Sequence, residues 1–93
     1  MGFTKDTAAD RAKHDLANRL GIPEADIKIQ NVSDKDFPDM ALGVPENGEM
    51  SGQMISSGWQ IVLDAGGNDY EYRADKYQLR LRDFKGKNYV IEK

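Results

Sequence analysis

His14 is the one histidine of this 93-residue chain, and cysteine is absent. Imidazole is the side chain best placed to exchange a proton near neutral pH, and a serine hydroxyl needs such a base beside it before it becomes a nucleophile. His14 falls within a helical pattern, off the stripe that carries Ala12 and Leu16, so the spacing predicts a solvent-facing helix residue. Ser56-Ser57-Gly58 has the composition of a turn, and no histidine stands near it in the sequence. The missing cysteines remove disulfides, thiolate zinc sites and thiol nucleophiles. These residues argue against an enzyme, and no cofactor motif accompanies them.

Asp34, Asp36 and Asp39 offer oxygen ligands at near-alternate positions, the kind of spacing from which a hard cation can be gathered. The full calcium loop, with its central glycine and closing glutamate, is not present, and an ion- or small-ligand-binding module stands as an alternative reading. Gly66-Gly67 lacks the lysine and following helix of a phosphate loop and reads as a hairpin turn. Arg73, Arg80 and Arg82 can share the polar face of a sheet. Tyr70 and Tyr72 alternate with the arginines and therefore point to the other face, so no stacking platform for single-stranded nucleic acid is expected. A net charge of −3 argues in the same direction.

What remains is residues 37–58, FPDMALGVPENGEMSGQMISSG, dense in glycine and proline. Long irregular connections in small domains tend to be binding loops, lids or tethers. Met40, Leu42, Val44 and Met50 are the candidate binding residues, because thioether and aliphatic side chains on a stiffened segment suit an adaptable contact surface. The competing expectation is that the segment folds back and drops Leu42, Val44 and Met54 into a core that a chain this short needs.

The elements that must present this segment are clearer. Ala9, Ala12, Leu16 and Leu20 recur at helical spacing, with Ala8 and Ala17 flanking them, and predict a helix over residues 7–20. Its polar face is Asp10, Arg11, Lys13, Asp15, Asn18 and Arg19. Thr4 or Thr7 caps the start, Gly21 ends it, and Pro23 prevents continuation. Ile27-Lys28-Ile29-Gln30 alternates as a strand, and Val32 falls out of phase, which predicts a bulge. Residues 51–56 can form a strand if Ser57-Gly58 turns the chain back into Trp59. Trp59, Ile61, Leu63 and Ala65 alternate up to Gly66-Gly67, Tyr70 and Tyr72 continue the hairpin, Tyr77, Leu79 and Leu81 form another strand, and Tyr89-Val90-Ile91 closes the chain beyond Lys85-Gly86-Lys87. The predicted architecture is a single α+β domain over residues 1–93: one N-terminal amphipathic helix packed on an antiparallel meander of about four to six strands, with one apolar face and one polar face.

Composition sets further bounds. Hydrophobic residues make up 39% of the chain and charged residues 31%, too apolar for disorder. No apolar run approaches the roughly 18–20 residues that cross a bilayer, so no membrane partner is expected, and no signal-peptide pattern opens the chain. The compartment stays open between cytoplasm and export after loss of such a segment. Acidic residues dominate positions 26–69 and basic residues the part from Arg73 onward. That is read as solvated faces complementing each other within the fold, with steering of a charged partner as the alternative. Sheet edges leave the chain a monomer or a weak homodimer.

Leu42-Gly43-Val44-Pro45-Glu46-Asn47-Gly48, Gln53, Gly58, Ile61-Val62-Leu63, Gly66-Gly67 and Tyr70-Glu71-Tyr72-Arg73-Ala74-Asp75 resemble a group of small uncharacterised bacterial domains. In that group an amphipathic helix precedes a Pro-Asp-x-x-Leu-Gly-x-Pro segment, matched here by Pro38-Asp39-Met40-Ala41-Leu42-Gly43-Val44-Pro45. The resemblance runs from the helix to Asp75 and carries no catalytic motif. Its other members carry cysteine where Val44 stands and again near the C-terminus; this chain has neither, which weakens any implication of an exported, disulfide-bonded protein. In outline the pattern is also similar to PepSY-type and cystatin-like modules, some of which restrain proteases. The expectation is a non-enzymatic module that touches a protein or peptide, with protease-inhibitor-like use of residues 37–58 as its sharper form.

Overall fold

A computed structural model describes residues 2–92 of the chain. The helix, α1, spans Lys5–Leu20 and starts where a reciprocal cap satisfies its first turn: the Thr4 hydroxyl accepts from the Thr7 N–H, and the Thr7 hydroxyl accepts from the Thr4 N–H. It stops at Gly21, whose left-handed backbone returns an N–H to the Ala17 carbonyl. After a short 3-10 turn at Glu24–Asp26 come five strands: β1 Ile27–Phe37, β2 Ser56–Ala65, β3 Asn68–Ala74, β4 Leu79–Phe84 and β5 Lys87–Glu92. They form one antiparallel sheet in chain order, the meander expected from the alternation. No helix among the described residues is long and apolar enough to cross a membrane.

Ala8, Ala9, Ala12, Leu16 and Ala17 press against Ile27, Ile61, Leu63, Tyr72, Ala74, Leu79 and Leu81 on one sheet face. The small residues of α1 let it approach closely, and the large ones of the sheet fill the space between. Each fully buried Leu or Ile contributes roughly 1.5–3 kcal/mol relative to exposure. A tyrosine hydroxyl enters this layer. Tyr72 is fully buried, and its hydroxyl donates to Asp15 Oδ2 at 2.7 Å. Burial first, and then the Asp15 carboxylate, push the Tyr72 phenol well above its ordinary value. Arg19 donates to the same oxygen at 2.7 Å and lies 4.5 Å over the Tyr89 ring. Asp15 and Arg19 were expected in solvent; instead they carry the polar seam between helix and sheet.

Three local expectations are corrected. β1 continues well past Gln30 to Phe37, with the bulge between Ile29 and Asn31 that the phase of Val32 implied. Residues 51–55 are not a strand, and Ser57-Gly58 is not a turn; β2 runs straight through both into Trp59. Gly58 is required by closeness to β3, since an added Cβ would overlap the Ala74 carbonyl oxygen. Finally, the second sheet face is not simply polar and wet. Arg80 is 3% exposed there, because the connection between β1 and β2 lies across it.

Candidate functional site

Residues 38–55, called the flap below, form a third layer over the face opposite α1. Asp39 builds the entry: its Oδ1 accepts from the N–H groups of Ala41 and Gly43, both at 2.9 Å, while its carbonyl accepts from Leu42. That turn places Leu42 at φ 58° and Gly43 at φ 72°. A left-handed leucine costs about 1–2 kcal/mol, offset here because its side chain is fully buried with Phe37 and Val44 in a second apolar cluster. A Cβ at Gly43 would stand 2.8 Å from Arg73 Nη1, so the guanidinium would have to shift to admit one. Arg73 uses that approach to donate to the Leu42 carbonyl at 2.9 Å, and its guanidinium lies 5.3 Å over the Phe37 ring.

Further out, Arg80 clamps the flap. Its Nη1 and Nη2 donate to Glu49 Oε1 and Oε2 at 2.6 and 2.8 Å, its Nε to Gln78 at 2.7 Å, and its Nη1 also faces the Val44 carbonyl at 3.5 Å. A paired fork of this kind is among the stronger polar contacts a protein makes. The tip reaches edge strand β5, where Glu46 accepts from the Val90 N–H at 3.2 Å and Asn88 Nδ2 donates to the Pro45 carbonyl at 2.9 Å. The chain then returns, and Gly52 accepts from the Met40 N–H at 2.9 Å, tying the two limbs together. Gln78 Nε2 donates to the Met40 carbonyl at 2.8 Å.

The four candidate residues divide. Leu42 and Val44 are buried at 0% and 2% exposure, which corrects their reading as candidate binding residues: the space under the flap is the better apolar environment, and they fill it. Met40 and Met50 stay exposed, at 50% and 97%. Met54, expected inside under the competing reading, is 67% exposed, and its neighbour Ile55 is 74% exposed. The return limb therefore displays Met50, Met54 and Ile55 from a segment whose outward limb is pinned. Tyr77, 76% exposed, projects from the β3–β4 turn at the same end of the sheet.

The other candidates for chemistry do not converge. His14 Nδ1 lies 3.0 Å from Glu24 on the exposed helix surface. Asp34 pairs with Lys5 at 3.1 Å, Asp36 accepts from Ser57 at 2.7 Å, and Asp39 is occupied in the flap turn. No group of three or more metal-ligating side chains occurs among the described residues. Sequence reasoning missed Asp39, Arg73, Glu49 and Arg80 as the flap's fasteners. One signal was present: Phe37 stands in the phase of the polar face, which only a cover on that face explains.

No curated protein and no solved structure matches this chain. Residues 9–82 match the family described as Domain of unknown function (DUF8738), and the chain belongs to that family.

Proposed function

We propose that this chain is a non-enzymatic module that holds a protein or peptide partner against the exposed return limb of its flap. One observation carries the reading: Met50, Met54 and Ile55 are exposed on a segment whose opposite limb is held by buried polar and apolar contacts. Neighbouring apolar side chains left in water are favourable contact area for a partner. The bracing lowers the entropy that docking would remove, and thioether side chains adapt to the surface they meet. Met40, half exposed, lies against Gly52 of the same limb.

A photo-reactive residue placed at Met54 tests this in cell extract. One dominant cross-linked species is expected, lost when Met50→Ser and Ile55→Ser are added. Identical cross-linked products with and without those two changes would end the reading. A protease-inhibitor-like form is favoured by one further feature, the non-helical course of residues 51–55, exposed from Gly52 onward and tied back through Gly52. Excess protein would then slow at least one member of a protease panel while residues 51–55 stay uncut; cleavage there without any loss of rate removes this form.

A further inference from the structure

The two edges of the sheet are treated differently. β5 is covered by the flap tip through Glu46 and Asn88, whereas β1 has, among the described residues, β2 alone beside it in the sheet. Among the described residues, no backbone hydrogen bond reaches β1 from its outer side, and Lys28, Ile29, Gln30, Asn31, Asp34, Lys35 and Asp36 are exposed. An edge this long presents a row of unused N–H and C=O groups, which is a template for another strand.

We propose that β1 accepts an extended, basic segment of a partner protein as a sixth strand. The outer face on the α1 side carries Ile29, Val32, Asp34 and Asp36 in succession, since the bulge at Gln30 brings Val32 back into phase with Ile29. A strand laid beside it meets apolar side chains at one end and two carboxylates, two residues apart, at the other. Beside those carboxylates lies a cleft of about 330 Å³ with Trp59 and Tyr77 in its lining. Asp34, Asp36 and Asp75 line it with Lys35 and Lys76. Lys5 of α1 already pairs with Asp34 at 3.1 Å, and Asp75 accepts from the Tyr77 and Gln78 N–H groups. That leaves Asp36, among the described residues, as the carboxylate there without a cation beside it, and an incoming cation competes with Lys5 for Asp34. Such a site suits lysine or arginine at alternate positions of the incoming strand, the stem lying on aromatic surface and the cation near a carboxylate.

A second copy of this chain is the poorer occupant. Antiparallel self-pairing centred on Lys35 sets Lys35 against Lys35 and Asp34 against Asp36, pairing centred on Asp34 sets Asp34 against itself, and pairing centred on Ser33 runs Asp36 into the bulge. The inference rests on the β1 edge and does not depend on the exposed methionines.

The probe is a displayed library of random peptides of about 12 residues, selected on the intact protein, with the recovered peptides then synthesised and titrated while amide shifts are followed. Recovered peptides are expected to carry basic residues at alternate positions and to shift the amides of residues 31–37. They are also expected to bind the D34K/D36K double variant at least about tenfold more weakly. Recovery of nothing, of peptides without that pattern, or of peptides that shift residues 50–55 instead would overturn the inference. The last outcome would at the same time favour the flap surface. Mapping on the unmodified protein keeps the test decisive whatever the double variant does to folding.

Discussion

Replacing Glu49 with alanine tests whether the flap is a fixed layer. Arg80 has a side chain 4% exposed, and Glu49, at 20%, supplies both carboxylate oxygens of its fork. Removing one member of a buried pair costs about 3–5 kcal/mol, because the remaining charge stays desolvated. Gln78 and the Val44 carbonyl still face Arg80, and Glu49 is not fully buried, so the lower end applies, about 3 kcal/mol. Native-state amide exchange reads this directly at Met40, Leu42 and Val44, whose N–H groups are bonded within the flap. A loss of about 3 kcal/mol corresponds to a fall in protection of roughly a hundredfold. If the flap opens only together with the sheet, the same loss lowers the melting temperature by roughly 12–24 °C. Arg80→Met combined with Glu49→Leu should be milder than the sum of the two single changes, because no orphaned charge remains. Unchanged protection at those three amides in Glu49→Ala would show that the pair does not hold the flap.

Three further outcomes follow from the geometry. Gly58→Ala forces a Cβ onto the Ala74 carbonyl; urea unfolding followed by Trp59 fluorescence should lose about 1–3 kcal/mol, and an unchanged midpoint would contradict the close β2–β3 approach. Because the folded-state value of Tyr72 lies above the unfolded one, the native state keeps a proton that the unfolded chain releases. Stability is then independent of this group below about pH 10 and falls above it by up to about 1.4 kcal/mol per pH unit. Tyr72→Phe should remove that part of the alkaline slope in urea titrations, and an identical slope in both proteins would refute the assignment. Peroxide should oxidise Met50 and Met54 ahead of Met40, in keeping with their exposures of 97%, 67% and 50%, and peptide mass mapping that finds Met40 modified first would place the return limb wrongly.

The helix and the hairpins were legible because each carries its own local instructions. Thr4, Gly21 and the Ala12–Leu16 stripe define α1, and strict alternation on both sides of Gly66-Gly67 defines β2 and β3. The outer half of β1 was not legible. From Ser33 to Asp36 it is polar on both faces, as an edge strand beyond the main core can be, and alternation carries no signal there. Ser57-Gly58 misled for a different reason: a glycine needed for close approach has the same letter as one needed for a turn. The candidate site was half legible. Its location in residues 37–58 could be read from glycine and proline content, but which side chains face inward depends on Arg73 and Arg80. Those partners lie 31 residues away from Leu42 and Glu49, respectively, and no local pattern encodes such a pairing.

The flap precedes in the chain nearly everything it rests on. Arg73, Arg80, Asn88 and Val90 all lie C-terminal to it, so a ribosome delivers Leu42 and Val44 well before the strands that shelter them exist. During synthesis these side chains stay uncovered until β4 emerges, and the tip finds its seat only when β5 is made. Closing this layer therefore waits for the C-terminal strands, and a chain truncated before β4 would carry its stickiest loop bare.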